Sequence, residues 1–143
     1  AERELPIEYE KYRLITNYND IAHFLYFADL FIGDSQTMAS ESAILGTPSI
    51  RFNDFSGKIS VLNELEKKYK LSFSFNTKEE NNFYNKIHEL LEMPNRELIF
   101  HERRKKMIMD KIDVTSFFIW IIKNYPNSLN KIMNNPTYQL RFK

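Results

Sequence analysis

Residues 30–75 narrow the fold most, because short apolar runs alternate there with helical patterns and turn residues separate them. The runs are Leu-Phe-Ile (30–32), Ser-Ile-Arg-Phe (49–52) and Leu-Ser-Phe-Ser-Phe (71–75). Between the first two lies "GDSQTMASESAILGTP" (33–48), whose middle repeats every 3.6 residues and whose ends are glycine and Gly-Thr-Pro. Between the second and third lies a loop, 53–57, and then a helical pattern over 58–69 with Ile59, Leu62 and Leu65 on one face. Strand, helix and strand joined by brief turns pack as a parallel sheet with helices on its faces. A β-prone segment at 12–16 and a capped helix over 20–27 precede the first run and extend the same pattern. The sequence predicts an α/β fold with about four or more parallel strands.

After residue 76 the pattern is helical only: 79–92, 96 to about 112, 113–124 and 128–133, punctuated by Pro94 and Pro126. A chain of 143 residues can close one sizeable core, so residues 1–143 are expected to form a single domain with an all-helical extension over 111–143. The apolar fraction of 43% marks a folded chain. A net charge of +1 gives no field to gather nucleic acid or an anionic membrane. The longest apolar run, 117–122, is far short of the roughly 20 residues that span a bilayer. With no cysteine, disulfides and thiolate chemistry are excluded. His23, His88 and His101 fall on three separate helices without metal-ligand spacing, so no metal site is expected. The basic run 103–106 reads as a solvated helix face, and the aromatic run 117–120 as core or as an interface.

The chemistry concentrates at 33–58. In open α/β sheets ligands bind at the carboxyl ends of the strands, where the 33–37 turn would lie. A helix beginning there has unpaired N–H groups and about half a positive charge, which suits phosphate. Ser35 and Thr37 add hydroxyls, and Glu41, four residues after Thr37, shares its helical face. A carboxylate one turn beyond a phosphate site can accept both hydroxyls of a ribose, so the pattern suits a nucleotide. Arg51 and Lys58, around the next carboxyl-edge loop, are further candidates for phosphate. The bland alternative is a capped helix with Glu41 in solvent and ordinary loop charges.

The stretch "ADLFIGDSQTMASESAILGTPSIRFNDFSGK" (28–58) resembles the carboxyl-terminal half of GT-B-fold nucleotide-sugar enzymes. It is most like a family of uncharacterised prokaryotic proteins related to UDP-N-acetylglucosamine 2-epimerases and glycosyltransferases. "LPIEYEKYRLI", "LNELEKKYKLSFSF" and "DKIDVTSFFIWIIKNYPNS" extend the resemblance over most of the chain. It implies a Rossmann-like domain that binds a nucleotide-sugar, with UDP or a UDP-sugar as ligand and no cofactor. Ser35, Gln36 and Thr37 stand where the epimerases hold the diphosphate with a Ser-Gly-Gly turn. Glu41 stands where they bind the ribose. Gln36 and Thr37 replace two glycines, and Ser40 replaces a second acid, so the epimerase pattern is incomplete. The resemblance also implies a partner, an amino-terminal half that carries the catalytic residues, with helices 111–143 packing toward it. The parent protein would be a cytoplasmic glycosyltransferase or sugar epimerase, and this domain alone would be inactive. The other expectation is an interaction domain that keeps the fold without the ligand.

Overall fold

A computed structural model describes residues 5–55 and 57–143, so Ser56 of the 53–57 loop and residues 1–4 lie outside the description. Three parallel strands, β1 (Phe31–Gly33), β2 (Ser49–Phe52) and β3 (Ser72–Phe75), form one sheet in the order β1-β2-β3. The register places Phe31 beside Ser49, Gly33 beside Arg51 and Arg51 beside Ser74. The helices are α1 (Ile21–Phe27), α2 (Gln36–Leu45), α3 (Ser60–Lys67), α4 (Glu80–Leu91), α5 (Arg96–Asp110), α6 (Val114–Lys123) and α7 (Asn127–Asn134).

The α/β class and the parallel sheet agree with the sequence reading, but there are three strands among the described residues and not four or more. The β-prone segment 12–16 is not a strand. A 3₁₀ turn (Ile7–Tyr12) runs into it, closed by an Arg13–Glu10 ion pair at 2.6 Å, and Ile15 stays 90% exposed. Propensity without a partner edge does not make a strand.

The small residues of α2 answer why polar groups sit between two strands. Ala39, Ser42 and Ala43 are buried against the sheet. Their small side chains let the helix approach closely, and the hydroxyls find backbone partners. Ser42 Oγ donates to the Thr47 carbonyl at 3.1 Å, and Ser49 Oγ to the Ala39 carbonyl at 3.1 Å. Thr47 Oγ1 donates to the Leu25 carbonyl at 2.7 Å, tying α1 to the turn before β2. None of these buried hydroxyls is left unpaired, so the polar face costs little to bury.

Gly46 ends α2 in the left-handed region, at φ 95°. A Cβ there would lie 3.1 Å from both Arg104 Cδ and His101 Nδ1. Gly46→Ala is therefore expected to cost about 1–2 kcal/mol, measured by urea unfolding, because strain and crowding add.

Ala43 of α2 joins Ile50, Leu62, Leu65, Tyr69, Leu71, Leu90, Phe100 and Met107 in one core, and Phe52 stacks on Phe83 of α4 at 4.5 Å. The basic run of α5 is only partly a solvated face. Arg103 donates to the Lys70 carbonyl at 2.9 Å and Arg104 Nε to the Ile44 carbonyl at 2.6 Å. These two arginines fasten α5 to the ends of other elements.

Helices α6, α7 and the 3₁₀ segment Pro136–Phe142 pack on one another around Phe117, Trp120, Tyr138 and Phe142. Their outer faces leave Phe118, Ile122 and Met133 exposed. No helix among the described residues is long and apolar enough to cross a membrane.

Candidate functional site

The carboxyl edge of the sheet is built from three turns. The first, Asp34-Ser35, leads into α2. Ser35 caps that helix: its Oγ accepts the Met38 N–H at 3.3 Å. The Gln36 and Thr37 N–H groups come earlier in the first turn, where a helix offers no internal acceptor. They project from the amino end of α2 with no partner among the described residues. At the end of β1, the Phe31 ring lies against Gly33, so that a Cβ there would come within 2.9 Å of it.

The second turn follows β2 and is pinned to both neighbours. Asn53 Nδ2 donates to the Asp34 carbonyl at 3.1 Å, while its Oδ1 accepts the Phe55 N–H at 3.0 Å. Asp54 Oδ1 accepts from Thr77 Oγ1 at 2.8 Å and from the Thr77 N–H at 3.2 Å. Those hydrogen bonds hold the Asp54 carboxyl below its ordinary range. Asn53 and Asp54 thus tie the turns after β1, β2 and β3 together. Asn-Asp at a strand end is a turn signal in the sequence, but which turns it joins is visible only in the fold.

The candidate residues are placed unequally. Ser35, Gln36 and Thr37 lie together at the amino end of α2. Ser40 is occupied within its own helix, its Oγ donating to the Gln36 carbonyl at 3.0 Å. Glu41 lies on the exposed side of α2. It accepts no hydrogen bond from a described residue, since the buried side is filled by Ala39, Ser42 and Ala43. Lys58 does not begin a helix as the periodicity predicts. It stands in the turn before α3, its Nζ 5.6 Å from the centre of the Phe55 ring. Asp34, exposed at the same edge, adds a negative charge that opposes an anion.

Arg51 is the third residue of β2, inside the run expected to be a strand, but its side chain is buried, 1% exposed, where a surface charge was the bland alternative. Nε and both terminal nitrogens lack hydrogen-bond partners among the described residues. The nearest carboxylate, Glu66 of α3, is 3.8 Å away and already accepts from Ser74 Oγ at 2.6 Å and the Ser74 N–H at 3.3 Å. Burial lowers the Arg51 pKa from its ordinary value, and Glu66 offsets this in part.

Two cavities lie elsewhere. One of about 280 Å³ opens at the amino edge of the sheet between Tyr26, Asp29, Thr47 and His101. The other, about 440 Å³, flanks β3 between Glu66, Lys86, Glu89 and Arg103. Among the described residues no three His, Asp or Glu side chains cluster closely enough to hold a metal ion. Comparison with protein-family models, with curated proteins and with solved structures returned no match.

Proposed function

We propose that this domain binds the diphosphate and ribose of a nucleotide-sugar, expected to be a UDP-sugar, on the carboxyl edge of its sheet. In this reading it is the donor-binding half of a cytoplasmic GT-B-type glycosyltransferase or epimerase-like enzyme. The observation that carries the reading is Arg51, a buried cation without a hydrogen-bonded counter-ion, level with the last residue of β1 and so beside the turn into α2. A site that keeps such a charge is prepared for an anion. The Gln36 and Thr37 N–H groups and the Ser35 and Thr37 hydroxyls would hold the phosphates. Glu41 would accept the ribose hydroxyls, and Lys58 would reach the outer phosphate. During transfer, the same N–H groups would stabilise charge developing on the leaving diphosphate.

In this reading the carboxyl edge forms one wall of a cleft between two halves. The accessible surface supports a second half: 10662 Å² is roughly 2,900 Å² above the ~7,800 Å² expected of a compact monomer of 17.2 kDa. The exposed apolar side chains of α6 and α7 would lie under that half, which would supply the acceptor site and catalytic residues.

The direct test is calorimetric titration with UDP and with UDP-N-acetylglucosamine. Both should release or absorb heat, and Glu41→Ala should weaken binding by about 1–3 kcal/mol, the cost of ribose hydroxyls left unpaired. Unchanged affinity in that variant removes Glu41 from the site. A second reading, an interaction domain without a ligand, is favoured by the exposure of Glu41 and by side chains at Gln36 and Thr37 where the epimerases have glycine. No heat with either ligand at millimolar concentration selects that reading.

A further inference from the structure

The cavity of about 440 Å³ beside β3 has the size of a small-molecule site, and its charge is one-sided. Lys67, Lys70, Lys86 and Arg103 line it against two acids, Glu66 and Glu89. The surplus is two positive charges, in a chain whose whole net charge is +1. Both acids are already occupied. Glu66 accepts from Ser74 Oγ at 2.6 Å and from the Ser74 N–H at 3.3 Å, and it faces Arg51 at 3.8 Å. Glu89 is paired with Lys86. Two of the cations are held in place. Arg103 lies on the Phe100 ring, 4.7 Å from its centre, and donates to the Lys70 carbonyl at 2.9 Å. The Lys86 ammonium lies 4.9 Å from the centre of the Phe73 ring. Lys67, the last residue of α3, and Lys70, in the turn before β3, are exposed and pair with no acid among the described residues. Phe73 and Met93 supply an apolar wall and pack against the core.

We infer that this cavity binds a small organic dianion, two acidic groups carried on an apolar ring or chain. Two negative charges neutralise the surplus, and the apolar body lies on Phe73 and Met93. Arg103 and Lys86 are fixed before the ligand arrives, so binding costs little of their side-chain freedom. Burial lowers the Arg103 pKa, with Glu89 opposing it in part, and an anion in the cavity favours the charged form further. An apolar wall beside the cations keeps water from screening them as it does on an open surface. The cavity flanks an outer strand of the sheet and shares no residue with the turns at its carboxyl edge. The inference therefore goes beyond the nucleotide reading and does not depend on it.

The test is backbone amide NMR of the 143-residue chain at constant ionic strength, titrated with phthalate, which carries two carboxylates on one ring. Malonate, a dianion without a ring, and benzyl alcohol, a ring without charge, serve as comparisons. Phthalate should give saturable shifts at the Lys70, Phe73 and Met93 amides, with malonate binding more weakly and benzyl alcohol more weakly still. Lys67→Glu removes both surplus charges at an exposed helix end, so phthalate affinity should fall by about tenfold while the thermal midpoint holds. Glu89→Gln adds to the surplus and should tighten phthalate by roughly two- to fivefold. Absence of saturable shifts at those three amides, or affinity unchanged in Lys67→Glu, overturns the inference. So does malonate or benzyl alcohol binding as tightly as phthalate, or phthalate shifts that centre on Gln36 and Thr37.

Discussion

Phe100→Ala is expected to destabilise the domain by about 3–5 kcal/mol and to lower its thermal midpoint by roughly 10 °C. Phe100 is fully buried in the core, together with Ile50, Leu71, Leu90 and Met107. Truncation removes its transfer energy and leaves a cavity that rigid neighbours fill poorly. It also removes the ring on which the Arg103 guanidinium lies, 4.7 Å from its centre, so the tie to the Lys70 carbonyl loosens. Ile122→Ala, on the outer face of α6 and 74% exposed, should stay within about 0.5 kcal/mol of the parent chain. Urea unfolding of the two variants checks the contrast. Equal losses would mean that the core is not where the fold places it.

Thr37→Glu is expected to separate binding from stability. Thr37 is the second residue of α2, exposed, and makes no hydrogen bond that the new side chain would break. A carboxylate in the first turn interacts favourably with the helix dipole, so the fold should gain a few tenths of a kcal/mol or stay unchanged. At the proposed diphosphate, the same charge about 4 Å away is repelled by about 4 kcal/mol at an effective dielectric constant of 20. UDP affinity should fall by two to three orders of magnitude while the unfolding midpoint holds. Titration calorimetry and thermal unfolding on one preparation measure both. Retained affinity would move the phosphates away from α2.

Local signals with a steric cause were legible in the sequence. Ser35 caps α2 and Gly46 stops it, as the hydroxyl and the following proline indicate. The strand at 49–52 and the one ending at Phe75 stand where β-prone residues meet turn residues. Pairing was less legible, because it depends on residues distant in sequence. The segment 12–16 has strand propensity and finds no edge. Lys58 fits the helical period, but the turn before α3 takes it.

The roles of charged residues were the least legible, since the same side chain serves different ends according to what covers it. Arg51 reads as a strand residue whose charge reaches the carboxyl-edge loop, yet its side chain is buried in the fold. Arg103 and Arg104 read as a solvated run, yet each holds a carbonyl at the end of another element. Within the candidate site, the amino end of α2 followed from the cap alone. The ties made by Asn53 and Asp54 required knowing which turns share the carboxyl edge.

The most direct test is backbone amide NMR of the chain during a titration with UDP. The Gln36 and Thr37 amides should show the largest shifts, with smaller ones at Asn53, and the Gly46, Thr47 and His101 amides around the amino-edge cavity should stay in place. Shifts confined to that cavity, or none at millimolar UDP, would contradict an anion cradle at the amino end of α2.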